Sequence, residues 1–355
     1  MSGSLSAGKF RALRRLADAN GRFKMMAADQ RPPIIKAINQ KLGADSATYE
    51  RVGSVKRSLV KALGGQSSAV LIDPDYGYSQ SFDALPAAPG LLLTLEDFAF
   101  EESPEGRKTF IMRDWSVEKI KRAGADGVKL LLWYRPDVSA EVRAHQHKLV
   151  EEVGQACKQY DLAFLLELLV YPFAGAADHT TDYIEHKDKR PELVLQSVRD
   201  FADPKYGVDI YKLESPLAAN HLPEPEAGGN AVADAQEWFN RMGQLIDKPW
   251  VMLSAGAGME EFRRVLHYAF KAGASGFLAG RAIWWQAFLN QYPDLAAMEG
   301  QLGKEGVGYM EQINRMTDQM ATPWHNAPLY GQQGPALEAG GFTFPSAYPA
   351  IAKRA

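Results

Sequence analysis

Cysteine is nearly absent from this 355-residue chain, in which Cys157 stands alone. An intrachain disulfide and a cysteine-based metal cluster are thereby excluded. Cys157 falls in Glu151–Tyr160, which reads as helix, and a buried structural thiol is expected there. Long apolar runs are missing as well: none approaches the ~18 residues of a membrane-spanning helix. The opening MSGSLSAGKFRALRRLADANG has no apolar core of the kind a secretory signal needs, so a cytoplasmic location is expected. Neither sign of charge dominates. Forty Lys and Arg against 43 Asp and Glu leave a net charge of −3, with the basic residues dispersed, so neither nucleic acid nor a membrane is expected as partner. Several motifs are absent too. The first β-like run lacks the G-x-G-x-x-G turn of dinucleotide-binding sheets. No H-E-x-x-H spacing occurs, and His145 and His147, two apart on a probable helix, fall on different faces. No G-x-S-x-G elbow supports serine hydrolysis. Neither a metal nor an organic cofactor is expected.

What the chain does have is an alternation of short β-like runs with amphipathic segments, the pattern of parallel α/β architecture. The runs are Phe23–Ala28, Ala69–Asp73, Gly90–Glu96, Gly127–Trp133, Ala163–Val170, Ile210–Glu214, Trp250–Ser254 and Gly276–Ala279. Several are almost unbroken in apolar residues (LLLTL, FLLELLV), as strands covered on both faces should be. Helical segments are read at Trp115–Ala123, Ala140–Tyr160, Leu193–Phe201, Ala231–Ile246 and Glu260–Ala272. Eight such units predict a closed (β/α)8 TIM barrel over residues 1–321 rather than an open doubly wound sheet. Residues 322–355, rich in Pro, Gly and Ala, predict an extended C-terminal tail packed on the barrel or on a neighbouring subunit.

A barrel enzyme carries its chemistry at the C-terminal ends of its strands, so polar residues inside apolar runs are informative. Lys212 and Glu214 lie two apart in D-I-Y-K-L-E-S-P and share a face. Lys129, in G-V-K-L-L-L-W, is a second lysine stranded in a β-run. Two ammonium groups in one desolvated cavity are expected to depress each other's pKa, and a neutral lysine is a competent nucleophile toward a carbonyl. The residues alone leave open which lysine that is, although the carboxylate of Glu214 tilts the choice toward Lys212. Glu167, amid F-L-L-E-L-L-V, needs a partner or a raised pKa, and either suits a general acid/base. Asp29, Asp73 and Glu96 close the first three runs, where they could bind substrate hydroxyls or relay protons. Two glycine-bearing turns, L-S-A-G-A-G after the seventh run and A-G-R after the eighth, suit an anion at the helix ends that follow, with Arg281 adding contacts.

The stretches A-A-D-Q-R, D-P-D-Y-G, G-L-L-L-T-L-E, W-S-V-E-K-I-K-R-A-G-A-D-G-V-K-L-L-L-W-Y, F-L-L-E-L-L-V-Y, D-I-Y-K-L-E-S-P, L-S-A-G and A-G-R-A-I-W resemble, in this order, the class I tagatose-1,6-bisphosphate aldolase family. The resemblance spans roughly Ala17–Trp285 and implies a metal-independent aldolase on a (β/α)8 barrel. It implies that Lys212 forms the Schiff base, that Glu167 is the acid/base, and that Lys129 and Asp29 lie near the reacting carbons. Phosphate contacts would fall on Ser254, Gly256, Gly280 and Arg281, with Gln30, Asp73, Glu96 and Glu214 completing the expected binding residues. The expected partner is a sugar phosphate, and a homo-oligomer is expected. Related aldolases cleave a sulfonated ketose phosphate with the same lysine, which is an alternative substrate. The loops Pro172–Pro191 and His221–Gly229 look individual to this chain. Competing readings are a non-covalent isomerase or epimerase using Glu167 and Asp29, and a catalytically silent sugar-phosphate sensor.

Overall fold

The structure, a computed structural model, describes residues 3–182 and 190–350. Part of the individual-looking loop Pro172–Pro191, with His186 in it, and the last five residues of the tail lie outside that range.

Eight parallel strands close into a barrel. They are β1 (Phe23–Ala27), β2 (Ala69–Ile72), β3 (Gly90–Thr94), β4 (Gly127–Trp133), β5 (Ala163–Leu169), β6 (Ile210–Leu213), β7 (Trp250–Met252) and β8 (Gly276–Ala279). Each pairs with its neighbour in sequence, and β8 pairs with β1 to close the ring. The (β/α)8 barrel expected from the apolar runs is the fold observed. All eight strands fall within the runs read from the sequence, shortened by up to two residues where the chain leaves the sheet to form the upper loops.

The outer layer is less regular than eight matching helices. Helix α1 (Ala7–Leu16) precedes the barrel, and α2 (Pro32–Leu42) and α3 (Tyr49–Leu63) follow β1. After β2 there is only a short helical stretch, Pro74–Ser81. An antiparallel hairpin, Glu101–Ser103 with Gly106–Lys108, and the one-and-a-half-turn α4 (Val117–Arg122) follow β3. Regular helices then alternate with strands: α5 (Ala140–Gln159), α6 (Pro191–Phe201), α7 (Gly229–Gly243), α8 (Met259–Lys271) and α9 (Arg281–Gln291), with α10 (Leu295–Gln301) and α11 (Val307–Met320) beyond. Cys157 on α5 is fully buried, and burial pushes its thiol well above the usual range, as suits an inert structural residue.

Strand side chains alternate between the lumen and the helices. Phe23, Met25, Leu71, Leu92, Leu165, Ile210, Val251 and Leu278 form one apolar cluster inside the lower barrel. Val70, Leu93, Val128, Leu130, Phe164 and Leu166, offset by one residue, pack outward against the helices. The lower mouth is stoppered from both ends of the chain. Leu13 and Leu16 of α1, with Trp324 and Tyr330 of the C-terminal segment, join the lumenal cluster. Lys9 of α1 pairs with Asp209, which precedes β6, at 2.6 Å. The Trp324 amide donates to the Gly21 carbonyl at 2.8 Å and that of Leu329 to Asp247 at 2.7 Å, both just before strands. Ala336–Leu337 then lies parallel to Ser4–Leu5. With the bottom filled in this way among the described residues, the open mouth of the barrel is on the C-terminal side of the strands.

Candidate active site

Above the apolar layer the lumen turns polar within one rung. Register places Glu167 of β5 directly beside Lys212 of β6. Lys212 Nζ lies 2.8 Å from Glu167 Oε1. The other oxygen, Oε2, is 2.9 Å from Lys129 Nζ, so one carboxylate bridges the two lysines. Lys129 also contacts Asp29 Oδ2 at 3.0 Å and Glu96 Oε1 at 2.7 Å. Glu96 in turn accepts from the Leu131 amide at 3.1 Å. All five side chains are buried, Glu167 completely.

This surrounding corrects one expectation. Lys129 is not a neutral lysine depressed by its neighbour. Burial acts to lower it, but the carboxylates of Asp29, Glu167 and Glu96 outweigh burial and hold it well above the ordinary lysine range. The same attraction works in reverse on two of the acids. Burial would raise Asp29 and Glu167, yet Lys129 and Lys212 hold both below the usual carboxylate range. For Glu96 burial prevails and its pKa is raised. Lys129 is therefore a fixed ammonium among three acids.

Asp73 is a second correction. It was expected among the substrate contacts but is turned away from the lumen and fully buried. Its Oδ1 forms an ion pair with Lys56 of α3, whose ammonium also donates to the carbonyls of Ala28 and Gln30 at 2.7 Å each. Its Oδ2 accepts from the amides of Tyr76 at 2.8 Å and Gly77 at 3.2 Å, capping the short helical stretch. Asp73 thus braces the chain that leaves β1. Glu214, also expected among the binding residues, accepts from the Val170 amide at 2.6 Å.

The turns after β7 and β8 come together as the sequence suggested. Ala255 and Gly256 both take left-handed backbone, with φ of 44° and 85°, and the Ala257 amide donates to the Ser254 carbonyl at 2.7 Å. A Cβ on Gly256 would sit 3.5 Å from the Arg281 guanidinium, so this arginine lies flat along the turn. A Cβ on Gly280 would come within 2.5 Å of the Ala27 carbonyl and 3.0 Å of Gln30 Nε2, which only glycine avoids. Ser254, Gly256, Gly280, Arg281 and Gln30 thus gather where α8 and α9 begin, an arrangement suited to an anion.

A cleft opens onto this centre. Asp29, Gln30, Arg31, Glu96 and Lys129 line it, with Leu131 and Trp133 on one wall and Phe98, Phe100 and Thr109 contributed by the segment around the hairpin. Lys212 sits one ion pair further in, across Glu167. Two of these groups were not read from the sequence. Arg31 is buried, with Nη1 at 3.3 Å from Asp75 and Nη2 donating to the Glu96 carbonyl at 3.3 Å, while its Nε has no partner. Its adjacency to Asp29 and Gln30 was the available signal. Asp75 beside it is pushed up to about 6, by burial and by the neighbouring Asp73 carboxylate, against the pull of Arg31. Thr109 stands in a polar stretch with no sequence signal at all.

Residues 33–286 match the family model described as DeoC/LacD family aldolase. This chain belongs to the DeoC/LacD family of aldolases. Among relatives of this aldolase, tagatose 1,6-diphosphate aldolase 2 of Enterococcus faecalis is 33% identical over 91% of this chain and 97% of its own length. The tagatose 1,6-diphosphate aldolase of Lactococcus lactis is 30% identical over 90% and 98%. Among solved structures, the fructose-bisphosphate aldolase of Plasmodium falciparum superposes with a TM-score of 0.59 at 15% identity, covering 96% of this chain and 99% of that one. An archaeal fructose-1,6-bisphosphate aldolase, captured with its catalytic lysine bound to a carbinolamine intermediate, superposes at 0.53 with 14% identity over 87% and 99%. At such identities these two likenesses speak for the barrel fold.

Proposed function

We propose that this aldolase cleaves a ketose 1,6-bisphosphate of the tagatose type through a Schiff base on Lys212, releasing dihydroxyacetone phosphate and a phosphorylated three-carbon aldehyde. The observation that carries the reading is the Lys212–Glu167–Lys129 bridge. Glu167 Oε1 is 2.8 Å from Lys212 Nζ, within reach of its proton. Passing that proton to Glu167 frees the nitrogen lone pair to attack the C2 carbonyl, and loss of water gives the iminium ion. The cation draws electrons from the C3–C4 bond as a base removes the C4 hydroxyl proton. The bond breaks, the aldehyde leaves, and an enamine remains on Lys212. Protonation at C3 and hydrolysis return the free lysine and the ketone product. Covalent catalysis divides one difficult carbanion-forming step into easier ones.

The remaining groups divide the labour by charge. Glu167 handles the C4 proton directly or through water. Lys129, held as an ammonium, steadies oxygen at the reacting carbons, with Asp29 fixing its position. The turns bearing Ser254, Gly256, Gly280 and Arg281 take the C1 phosphate. Arg31, with an unpartnered Nε at the cleft, suits the second phosphate. A coupled assay for triose phosphate release tests the reading against tagatose bisphosphate, fructose bisphosphate and sulfofructose phosphate. Turnover of a ketose bisphosphate, unchanged by a chelator, is the expected result. Activity lost with chelator contradicts the metal-free lysine mechanism, and release from the sulfonated substrate alone contradicts the second phosphate.

A further inference from the structure

The cleft beyond Lys129 holds an acceptor that nothing in the mechanism uses. Thr109 lines the cleft, is 2% exposed, and its Oγ1 has no hydrogen-bond partner. Its backbone, by contrast, is anchored on both sides. The amide donates to Gln146 Oε1 at 3.2 Å, and the carbonyl faces His145 Nε2 at 2.8 Å. Gln146 is itself fully buried and donates to the carbonyls of Arg107 at 3.1 Å and Trp133 at 2.7 Å. The strand of the hairpin that ends at Lys108 is pinned further by the Arg107 amide on Tyr171 Oη at 2.7 Å. So a threonine from an excursion after β3 is held rigidly at the cleft wall with its hydroxyl uncommitted. Asp29 Oδ1 and Gln30 Oε1, on other walls of the same cleft, are also buried without a partner. Three such atoms together call for a ligand rich in hydroxyl groups, because a buried polar atom is costly to leave unmatched.

Lys129 and Asp29 share the cleft with Thr109, whereas Lys212 lies behind Glu167, and this order points to one hydroxyl. If Lys212 holds C2 and the turns after β7 and β8 hold the C1 phosphate, the ketose runs outward past Glu167 and Lys129 at C3 and C4. The part that reaches Thr109 is the aldehyde half. We propose that Thr109 is a specificity-determining residue whose hydroxyl bonds the C5 hydroxyl of the ketose, which is the hydroxyl next to the carbonyl in the aldehyde product. The assignment rests on the Schiff-base reading above and adds to it the recognition of the aldehyde half.

The test runs the reaction in the condensation direction with dihydroxyacetone phosphate, where the enamine carbon attacks the aldehyde carbon and the aldehyde oxygen takes up a proton. Two acceptors are compared: D-glyceraldehyde 3-phosphate and 3-phosphooxypropanal, which lacks only the hydroxyl. The wild-type enzyme should favour the hydroxylated aldehyde in kcat/KM by about 10- to 100-fold, the range one buried hydrogen bond supports. Thr109→Val should lower kcat/KM for glyceraldehyde 3-phosphate by that factor and leave the deoxy aldehyde unchanged, bringing the ratio near one. Thr109→Ser, which keeps the hydroxyl, should restore the preference. A ratio unchanged in Thr109→Val, or equal losses for both aldehydes in Val and Ser variants alike, overturns the proposal. Borohydride trapping with dihydroxyacetone phosphate alone separates the two levels. Trapping on Lys212 with an unchanged aldehyde ratio overturns the role of Thr109 only. A wild-type enzyme that neither traps nor condenses overturns the Schiff-base reading and this proposal with it.

Discussion

The two halves of the barrel lumen are built from the same strands, yet they differ in almost every physical respect. Leu165 and Glu167 stand two residues apart on β5, and Ile210 and Lys212 two apart on β6, each pair facing the lumen. Below, Phe23, Met25, Leu71, Leu92, Leu165, Ile210, Val251 and Leu278 make a dry plug sealed by α1 and the C-terminal segment. Above, Lys129, Lys212, Asp29, Glu96 and Glu167 are joined by ion pairs and leave a cleft open to ligand. The lower layer needs no geometry beyond close packing. The upper layer is bound by charge pairing, and removing one member leaves others buried without compensation. One half therefore carries stability, and the other carries chemistry that the first makes affordable.

Breaking that contrast at its sharpest point, Lys212→Met should abolish turnover, measured as triose phosphate release, while the protein stays folded by circular dichroism. Next in size, Glu167→Gln should lower kcat by about 10²–10⁴-fold, the usual worth of a positioned proton-transfer group. Lys129→Met attacks the upper layer through stability as well as activity. It leaves three acids facing one another and should cost about 3–5 kcal/mol in a denaturant titration at neutral pH.

The pH dependence of that third variant tests the electrostatics with a definite sign. In the wild type, Asp29 and Glu167 are held below their ordinary range. The stability they contribute is in place above about pH 4 and is lost as pH falls further. Without the ammonium the same carboxylates bind protons more readily folded than unfolded. The wild type already gains some stability as pH drops from about 7 to about 5, because Asp75 and Glu96 are raised, and Lys129→Met should gain more over the same range. A variant whose stability changes in parallel with the wild type contradicts the charge assignment. The smallest effect on catalysis is expected from the lower layer. Leu165→Ala should cost about 2–5 kcal/mol of stability yet leave kcat unchanged at a temperature where the protein is folded.

The same contrast explains what could be read from the sequence. Apolar runs specify strands, and a polar residue inside one is conspicuous, so the eight strands and the trio Lys129, Glu167 and Lys212 were legible. The charge state of Lys129 was not. It depends on Asp29 and Glu96, which come from other strand ends 100 and 33 residues away in sequence. Asp73 was misread because its position at the end of β2 looks the same whether its carboxylate turns inward or, as here, out to Lys56 on α3. Arg31 and Thr109 reach the cleft through loop geometry, which periodicity does not encode. Nor did any pattern announce the hairpin Glu101–Lys108 that helps to wall the cleft.

The central claim is that Lys212, and not its equally buried neighbour, becomes covalently bound to the substrate. Borohydride reduction in the presence of dihydroxyacetone phosphate, followed by peptide mass spectrometry, decides between them. The expected result is one reduced adduct per chain, on the peptide containing Lys212, and none in Lys212→Met. An adduct on Lys129, or inactivation without any adduct, would contradict the account.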